Sequence, residues 1–312
     1  MTETTADELL VSHTDPSVAR PLPVGLAAAR RDVADAAATL ATIPEAVLAR
    51  PWPWKGGSEE EIRYGAYRIG EAFERAAIEA LADLRGAGVE RGLAAELIAP
   101  ATTARWDLDG LLAGLPDATW DADPGGGEWS IRLVLGHTIA SQRAYGIGSG
   151  WWLSQRHGAN DPDLPAATPE ELWGRIPSEE SDAEGAPEDV RRRLGDVLDR
   201  ATERLAGTPA EQLAVGARWS GFAVDVGFRL GRWSSHIREH TIQVEKTLDL
   251  LDHRPTETDR LVRLVLAAWG RAESAVSGAP AGPATEAAVR RLATAAAGAR
   301  ATADDIAQTA RS

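Results

Sequence analysis

The repeated helical spacing of apolar residues constrains the fold of this chain more than any other feature. Val190, Leu194 and Leu198, for example, lie four residues apart and share one face of a helix. No segment keeps the alternation of apolar and polar residues that a strand with one buried face requires. The sequence therefore predicts an all-α fold, and the short turns favour antiparallel bundle packing.

Caps and breakers predict where individual helices begin and end. Ser58, followed by three glutamates, and Ser130 each precede a helical pattern and predict an N-cap. Pro100 predicts a break, whereas the irregular stretch 155–185 predicts a long, partly mobile connection. Besides the helix after Ser130, the predicted helices cover about 26–40, 58–85, 89–115, 187–205, 224–251 and 256–276, with an alanine-rich helix ending near Thr309.

The charge balance and the hydropathy limit the partners of the chain. There are 47 acidic and 33 basic residues, which give a net charge of −14. Because binding to a phosphate backbone needs clustered positive charge, we do not expect nucleic acid as a partner. No apolar run approaches the roughly 18 residues that a membrane span needs, and the N-terminus does not resemble a leader peptide. We therefore expect a cytoplasmic protein without a membrane partner.

Three histidines form the candidate metal site. His236 and His240 are one helical turn apart, so both imidazoles leave the same helix face. His137 lies on the apolar face of the helix that Ser130 caps, and it can supply a third nitrogen. The chain contains no cysteine, so histidine and carboxylate must hold any metal. Three protein nitrogens leave one coordination position for water or substrate, as in catalytic zinc sites. The alternative is three buried histidines satisfied by hydrogen bonds.

Two residues on the same helix face are candidate substrate-binding residues. Arg232 can clamp a carboxylate and Gln243 can orient a water, with a salt bridge or an interhelical hydrogen bond as the alternative for each. The run His236-x-x-Glu239-His240 also matches the inverted zinc-peptidase motif, in which the glutamate is the general base. Such peptidases contain mixed sheets, so we interpret Glu239 as a solvated residue or as a support for the ligands.

An internal echo links the N-terminal region to the region of the candidate site. Residues 40–46 and 112–118 match in character position by position. When this register is continued through the next helix, Arg68 stands at the place of His137. Two explanations remain open, namely a half-bundle duplicated without its metal site and a coincidence between two helices rich in alanine and leucine.

The chain resembles the DinB/YfiT-like family of four-helix-bundle metalloproteins, which includes mycothiol-dependent maleylpyruvate isomerases and bacillithiol S-transferases. The resemblance rests on Glu128-Trp129-Ser130-Ile131 with Leu135-Gly136-His137, and on His236-x-x-x-His240 with Thr241, Gln243, Glu245 and Lys246. It implies a divalent metal, usually zinc or nickel, held by His137, His236 and His240. A thiol cofactor such as mycothiol, or a small-molecule substrate, would take the open position.

The resemblance also divides the chain and limits its function. We expect a disordered or loosely docked arm at 1–22, an N-terminal helical region at 23–100 and the metal-binding bundle at 101–254. We expect residues 255–312 to form a C-terminal helical extension, of which residues 255–275 resemble an extension in actinobacterial members. The expected activity is thiol-dependent transfer or isomerisation of a small organic substrate, although the sequence assigns no catalytic residue. Metal-assisted hydrolysis and a non-catalytic, metal-binding role in stress response are the alternatives. Related bundles often pair, so a homodimer is one expectation.

Overall fold

The computed structural model describes residues 6–54 and 59–312, and it confirms the all-α fold. Two short antiparallel pairs supply the strands in those ranges: β1 Pro51–Pro53 with β2 Glu59–Glu61, and β3 Gly216–Trp219 with β4 Phe222–Asp225. The α-helices are α1 Ala6–Ser12, α2 Leu26–Ala41, α3 Ile62–Gly86, α4 Leu93–Leu112, α5 Asp117–Trp120, α6 Ile131–Gln155, α7 Glu170–Trp173, α8 Glu179–Ala183, α9 Pro187–Leu205, α10 Val226–Leu250, α11 Glu257–Ser274 and α12 Pro283–Arg311. Single 3-10 segments lie at Pro16–Val18, Glu45–Val47 and Ala210–Ala214.

Helices α4, α6, α9 and α10 form one four-helix bundle. Helix α10 packs against α4 and α6, and α9 packs against the same two helices, so α4 and α6 lie across the bundle from each other. Each helix turns one apolar stripe inward, and the four stripes meet in a common core. The side chains buried in this core include Leu108, Val134, Ile139, Leu194, Leu230 and Trp233.

Helices α2, α3, α11 and α12 form a second four-helix bundle with the same arrangement. Helix α12 packs against α2 and α3, and α11 packs against the same two helices. Residues 23–100 and 255–312, which the sequence analysis treated as separate regions, thus share one core. Two helices alone would leave their apolar stripes partly uncovered, and the two C-terminal helices complete the cover. The expected boundary at residue 100 lies inside α4.

A buried polar network joins the two bundles where α4 packs against α11. Glu273 is only 2% exposed and accepts hydrogen bonds from the indole nitrogens of Trp106 and Trp269, each at 3.0 Å. Arg30 of α2 donates to Glu273 and also to Asp199 of α9. Burial would raise the pKa of Glu273, but the neighbouring arginines outweigh it and the pKa is lowered. The two bundles are therefore held by a charged carboxylate with satisfied oxygens.

The described part of the N-terminal arm is packed rather than loose. Helix α1 lies against α6 and α9, and Leu9 and Leu10 are 4% and 6% exposed in the core of the first bundle. The prolines and acidic residues of the arm pointed to disorder, but this apolar pair provides the burial that orders residues 6–22. Residues 1–5 lie outside the described ranges.

Several helix ends follow their predictions and two do not. Ser130 caps α6 by accepting from the backbone nitrogen of Leu133, and α9 has the predicted bounds. Ser58 lies outside the described residues, and Glu59–Glu61 form β2, so α3 begins later, at Ile62. Pro100 lies inside α4 without ending it, because packing against α10 and α11 outweighs one lost helical hydrogen bond. None of the described helices is long and apolar enough to cross a membrane.

Candidate metal centre

The structure brings the three predicted histidines together between α6 and α10. The ring centroids of His236 and His240 are 4.3 Å apart, and that of His137 lies 4.8 Å from His240 and 5.6 Å from His236. One nitrogen of each ring lies within 4.8 Å of the other two, so the group can hold a metal ion. Nε2 of His236 is 3.1 Å from Nε2 of His240, which is near the roughly 3.3 Å expected for two nitrogens bound to one tetrahedral zinc.

The other ring nitrogen of His137 is held by a carboxylate. Nδ1 of His137 donates to Oε1 of Glu179 at 2.7 Å, while its Nε2 lies 3.4 Å from the Ser141 hydroxyl. A partner on Nδ1 fixes the tautomer that leaves Nε2 free to bind a metal, and it increases the basicity of the ring. Glu179 therefore orients His137 for binding through Nε2.

The other two histidines are oriented by glutamines. Nδ1 of His240 donates to Oε1 of Gln243 at 2.8 Å. Near His236, the Gln142 amide nitrogen lies 3.5 Å from Nδ1 and donates to the Trp233 carbonyl at 3.3 Å. Oε1 of Gln142 is buried without a partner among the described residues. Turning this amide over would let Oε1 accept from Nδ1–H of His236, in exchange for the bond to Trp233.

Burial keeps the histidine pair neutral. Burial is the largest cause that lowers the pKa of His236, to about 3, and the neighbouring His240 and His137 lower it further. The pKa of His240 is also lowered, mainly by burial, although its hydrogen bond to Gln243 acts in the opposite direction. Both rings are therefore unprotonated at neutral pH, the state in which imidazole binds a metal.

Glu179 is a site residue that the sequence analysis placed in a mobile connection. It begins the short helix α8, which Ser178 caps by accepting from the backbone nitrogen of Ser181. Helix α8 packs closely against α6 at Gly136, where a Cβ atom would lie 2.3 Å from the Glu179 carbonyl oxygen. The glycine directly before His137 was the available sign that another segment lies against this turn.

Further contacts hold α8 in place. Arg132 of α6 donates to the carbonyl oxygen of Ala183 at 2.8 Å, and Arg193 of α9 donates to that of Asp182. The Asp182 side chain is 2% exposed and pairs with Arg143 at 2.5 Å. Burial raises the pKa of Asp182, against the effect of Arg143. These contacts fix α8 against α6 and α9, and they thereby fix the position of Glu179, the first residue of α8.

The structure gives both predicted substrate-binding residues protein partners. Arg232 forms two hydrogen bonds with Glu239, at 2.8 and 3.0 Å, and Gln243 accepts from His240. Glu239 is 53% exposed and pairs with Arg232, and it is not a member of the group that could hold a metal. Glu245, a downstream candidate for the third ligand of that motif, pairs with Arg263 at 2.6 Å. The third member of the group that could hold a metal is His137 and not a glutamate.

Aromatic side chains that the sequence analysis did not select form the wall of the site. The Trp129 ring lies 5.2 Å from His137, and the Tyr145 ring lies 5.1 Å from His236 and 4.8 Å from Trp219. Burial raises the pKa of Tyr145 to about 12, so its hydroxyl stays protonated. Tyr145 follows His137 by two helical turns, and this spacing was the signal that both face the same way.

The comparisons with known proteins agree with this geometry. A family model of the DinB superfamily matches residues 101–244. The match covers most of the first bundle and includes all three histidines. Searches of the curated proteins and of the solved structures returned no match. Residues 101–244 are therefore a region of the DinB superfamily type.

Proposed function

We propose that His137, His236 and His240 hold a divalent metal ion, zinc or nickel, and that the protein is an enzyme acting on a small organic molecule. One observation carries this proposal: one nitrogen from each of the three rings lies within 4.8 Å of the other two, while a carboxylate and two amides lie on the Nδ1 side of the rings. Hydrogen-bonded buried histidines without a metal would not need three nitrogens directed at one point. No carboxylate of the described residues joins the group, which leaves a position for a substrate.

The proposed reaction is thiol-dependent transfer or isomerisation. A divalent ion held by His137, His236 and His240 would make a coordinated water or thiol acidic enough to be deprotonated near neutral pH. The chain has no cysteine, so the thiol would come from a low-molecular-weight cofactor such as mycothiol. Metal-assisted hydrolysis is the second candidate, because the same site can activate water. A non-catalytic, metal-binding role in stress response is the third.

Metal analysis of protein purified without an affinity tag tests the first step. The proposal expects one zinc or nickel per chain, and near-complete loss of the metal in each of His137→Ala, His236→Ala and His240→Ala. His253→Ala is the control, because that residue lies outside the metal group. Undiminished metal in the His137→Ala variant would show that His137 is not a ligand and would refute the three-histidine site.

Cobalt substitution separates the candidate reactions. A low-molecular-weight thiol added to the cobalt form should produce a thiolate-to-metal charge-transfer band if the thiol enters the open position. Hydrolysis of an activated ester without any thiol would favour the hydrolase. Neither signal in a fully loaded protein would favour the non-catalytic role.

The homodimer and the cytoplasmic location remain predictions. Light scattering on the purified protein measures the oligomeric state, and a homodimer requires twice the 33.1 kDa mass of the chain. Fractionation of the source cells measures the location.

A further inference from the structure

Arg229 is a buried cation without a carboxylate. It is 6% exposed, and no acidic side chain of the described ranges lies within ion-pair distance of it. Nη1 donates to the Arg218 carbonyl at 2.7 Å, while Nε is buried without a partner in those same ranges. Burying an unpaired charge is costly, and proteins usually avoid it or pair the charge. The chain contains 47 acidic residues, and none of those that the structure describes pairs with Arg229.

A glycine and a tryptophan border the guanidinium group of Arg229. On α6, a Cβ atom at Gly148 would lie 2.8 Å from Nη2 of Arg229. The Trp219 ring lies 5.4 Å from the guanidinium carbon, within the range of a cation–π contact. Burial lowers the pKa of Arg229 to about 10, so the side chain still carries its charge at neutral pH.

Arg229 opens onto a cleft of about 300 Å³ next to the candidate metal centre. A second arginine, Arg218, also lines the cleft, and its Nε and Nη2 donate to the backbone carbonyls of Pro165 and Leu164 rather than to a carboxylate. No acidic residue is among the lining residues. The other walls are largely aromatic or small and apolar, and include Tyr145, Trp152, Trp173, Trp219, Ala166 and Ala167. Two positive charges and an apolar wall select a small organic anion.

The cleft and the metal centre share a wall. Tyr145 lines the cleft, and its ring also contacts the ring of His236. Arg229 and His236 are seven residues apart on α10, which places them on one face with about 10 Å of helix rise between them. This separation is within the length of a small organic acid.

We propose that Arg229, assisted by Arg218, binds the carboxylate of a small organic anion whose apolar body lies against the tryptophans of this cleft. The assignment of that anion as the substrate rests on the proposed function, whereas the anion site itself does not. Arg229, rather than Arg232, is then the residue that sets the charge of the substrate.

Binding of benzoate to metal-free protein tests the proposal, with uncharged benzamide as the matched probe. Tryptophan fluorescence and calorimetry should detect benzoate but not benzamide. Arg229→Met should weaken benzoate binding about tenfold or more, and it should not lower the melting temperature, since it removes an unpaired buried charge. Arg218→Met, in the same cleft, should weaken binding about threefold. Arg232→Met should change it by less than about twofold.

The outcomes separate this proposal from the proposed function. Failure of the native chain to bind benzoate, equal binding of benzamide, or unchanged affinity in Arg229→Met would overturn the anion site. A loss of benzoate affinity in Arg232→Met alone would also overturn the anion site, because Arg232 would then be the residue that binds the carboxylate. The metal content of the same proteins is measured in parallel. A metal-free native chain with the expected benzoate results would refute the metalloenzyme but leave the anion site standing.

Discussion

Replacing Gly136 by alanine should loosen the metal site without touching a ligand. The added Cβ would lie 2.3 Å from the Glu179 carbonyl oxygen and 2.8 Å from Cβ of Ala183, where ordinary contacts begin near 3.4 Å. Helix α8 would therefore have to withdraw by about 1 Å. That movement lengthens the 2.7 Å bond between Glu179 and His137 beyond hydrogen-bond range. Losing such a support of a ligand costs about 10- to 100-fold in metal affinity.

Stability should fall as well, and a second glycine provides the control. Overpacking costs about 1–3 kcal/mol, against which a helical Gly→Ala change gains about 0.5–1 kcal/mol. Gly298 lies in α12 with nothing within 4 Å of its would-be Cβ, so Gly298→Ala should show the gain alone. Urea unfolding of the metal-free proteins and competition with a coloured chelator measure the two quantities. If Gly136→Ala gains as much stability as Gly298→Ala and keeps the native metal affinity, the close contact does not exist.

Three other outcomes follow from the same structure. The metal-free protein should lose about 1.4 kcal/mol of stability per pH unit as the pH falls below about 6.5. The reason is that His236 takes up a proton in the unfolded chain, whereas burial lowers its pKa to about 3 in the folded chain. Urea unfolding at pH 7.5 and pH 5 measures this slope, and His236→Gln should flatten it. Glu273→Gln should cost about 3 kcal/mol in urea, since Arg105 and Arg30 lose a buried counter-charge, and Asp199→Asn should cost less, because that side chain is 19% exposed. Zinc or nickel at about 100 times its dissociation constant should raise the stability by about 2.7 kcal/mol, and an unchanged melting temperature would contradict binding to the folded state.

Local chemistry could be predicted from the sequence because it depends on neighbours along the chain. The Ser130 cap, the bounds of α9 and the shared face of His236 and His240 all arise within a few residues. Glu179 could not be found in this way, since a tertiary contact across Gly136 brings it to His137. The short strands were also missed, because three or four residues are too few for an alternating pattern to stand out.

Arg229 has a signal in the sequence that is independent of its distance from the histidines. It shares a helix stripe with Val226, Leu230 and Trp233, all fully buried, and a charged residue inside such a stripe is itself a signal. Proximity in the sequence favours Arg232 instead, because it lies one helical turn from His236. The structure shows that Arg232 has a carboxylate partner and Arg229 has none among the described residues. Burial and pairing, rather than proximity in sequence, distinguish the two arginines.

The second bundle bears on the internal echo noted in the sequence. Its helices α2, α3, α11 and α12 have the same neighbours as α4, α6, α9 and α10, and Ile62 and Ile131 are both the first, fully buried residue of the second helix. Arg68 stands at the place of His137 and pairs with Glu60 and Glu71. Each of these two residues lies beside a tryptophan: Arg68 is 5.7 Å from the Trp54 ring, and His137 contacts Trp129.

A coincidence between two alanine-rich helices would account for the matching residues but not for the matching order of helix neighbours. The hypothesis of duplication accounts for both, with the metal-site bundle inserted between the two halves of the other. Helix α12 contains no histidine, so the second bundle lacks the pair that α10 supplies. Where the first bundle has His137, the second bundle has the salt bridges of Arg68 with Glu60 and Glu71. Helix α11 of the second bundle then contributes the surface on which α4 packs.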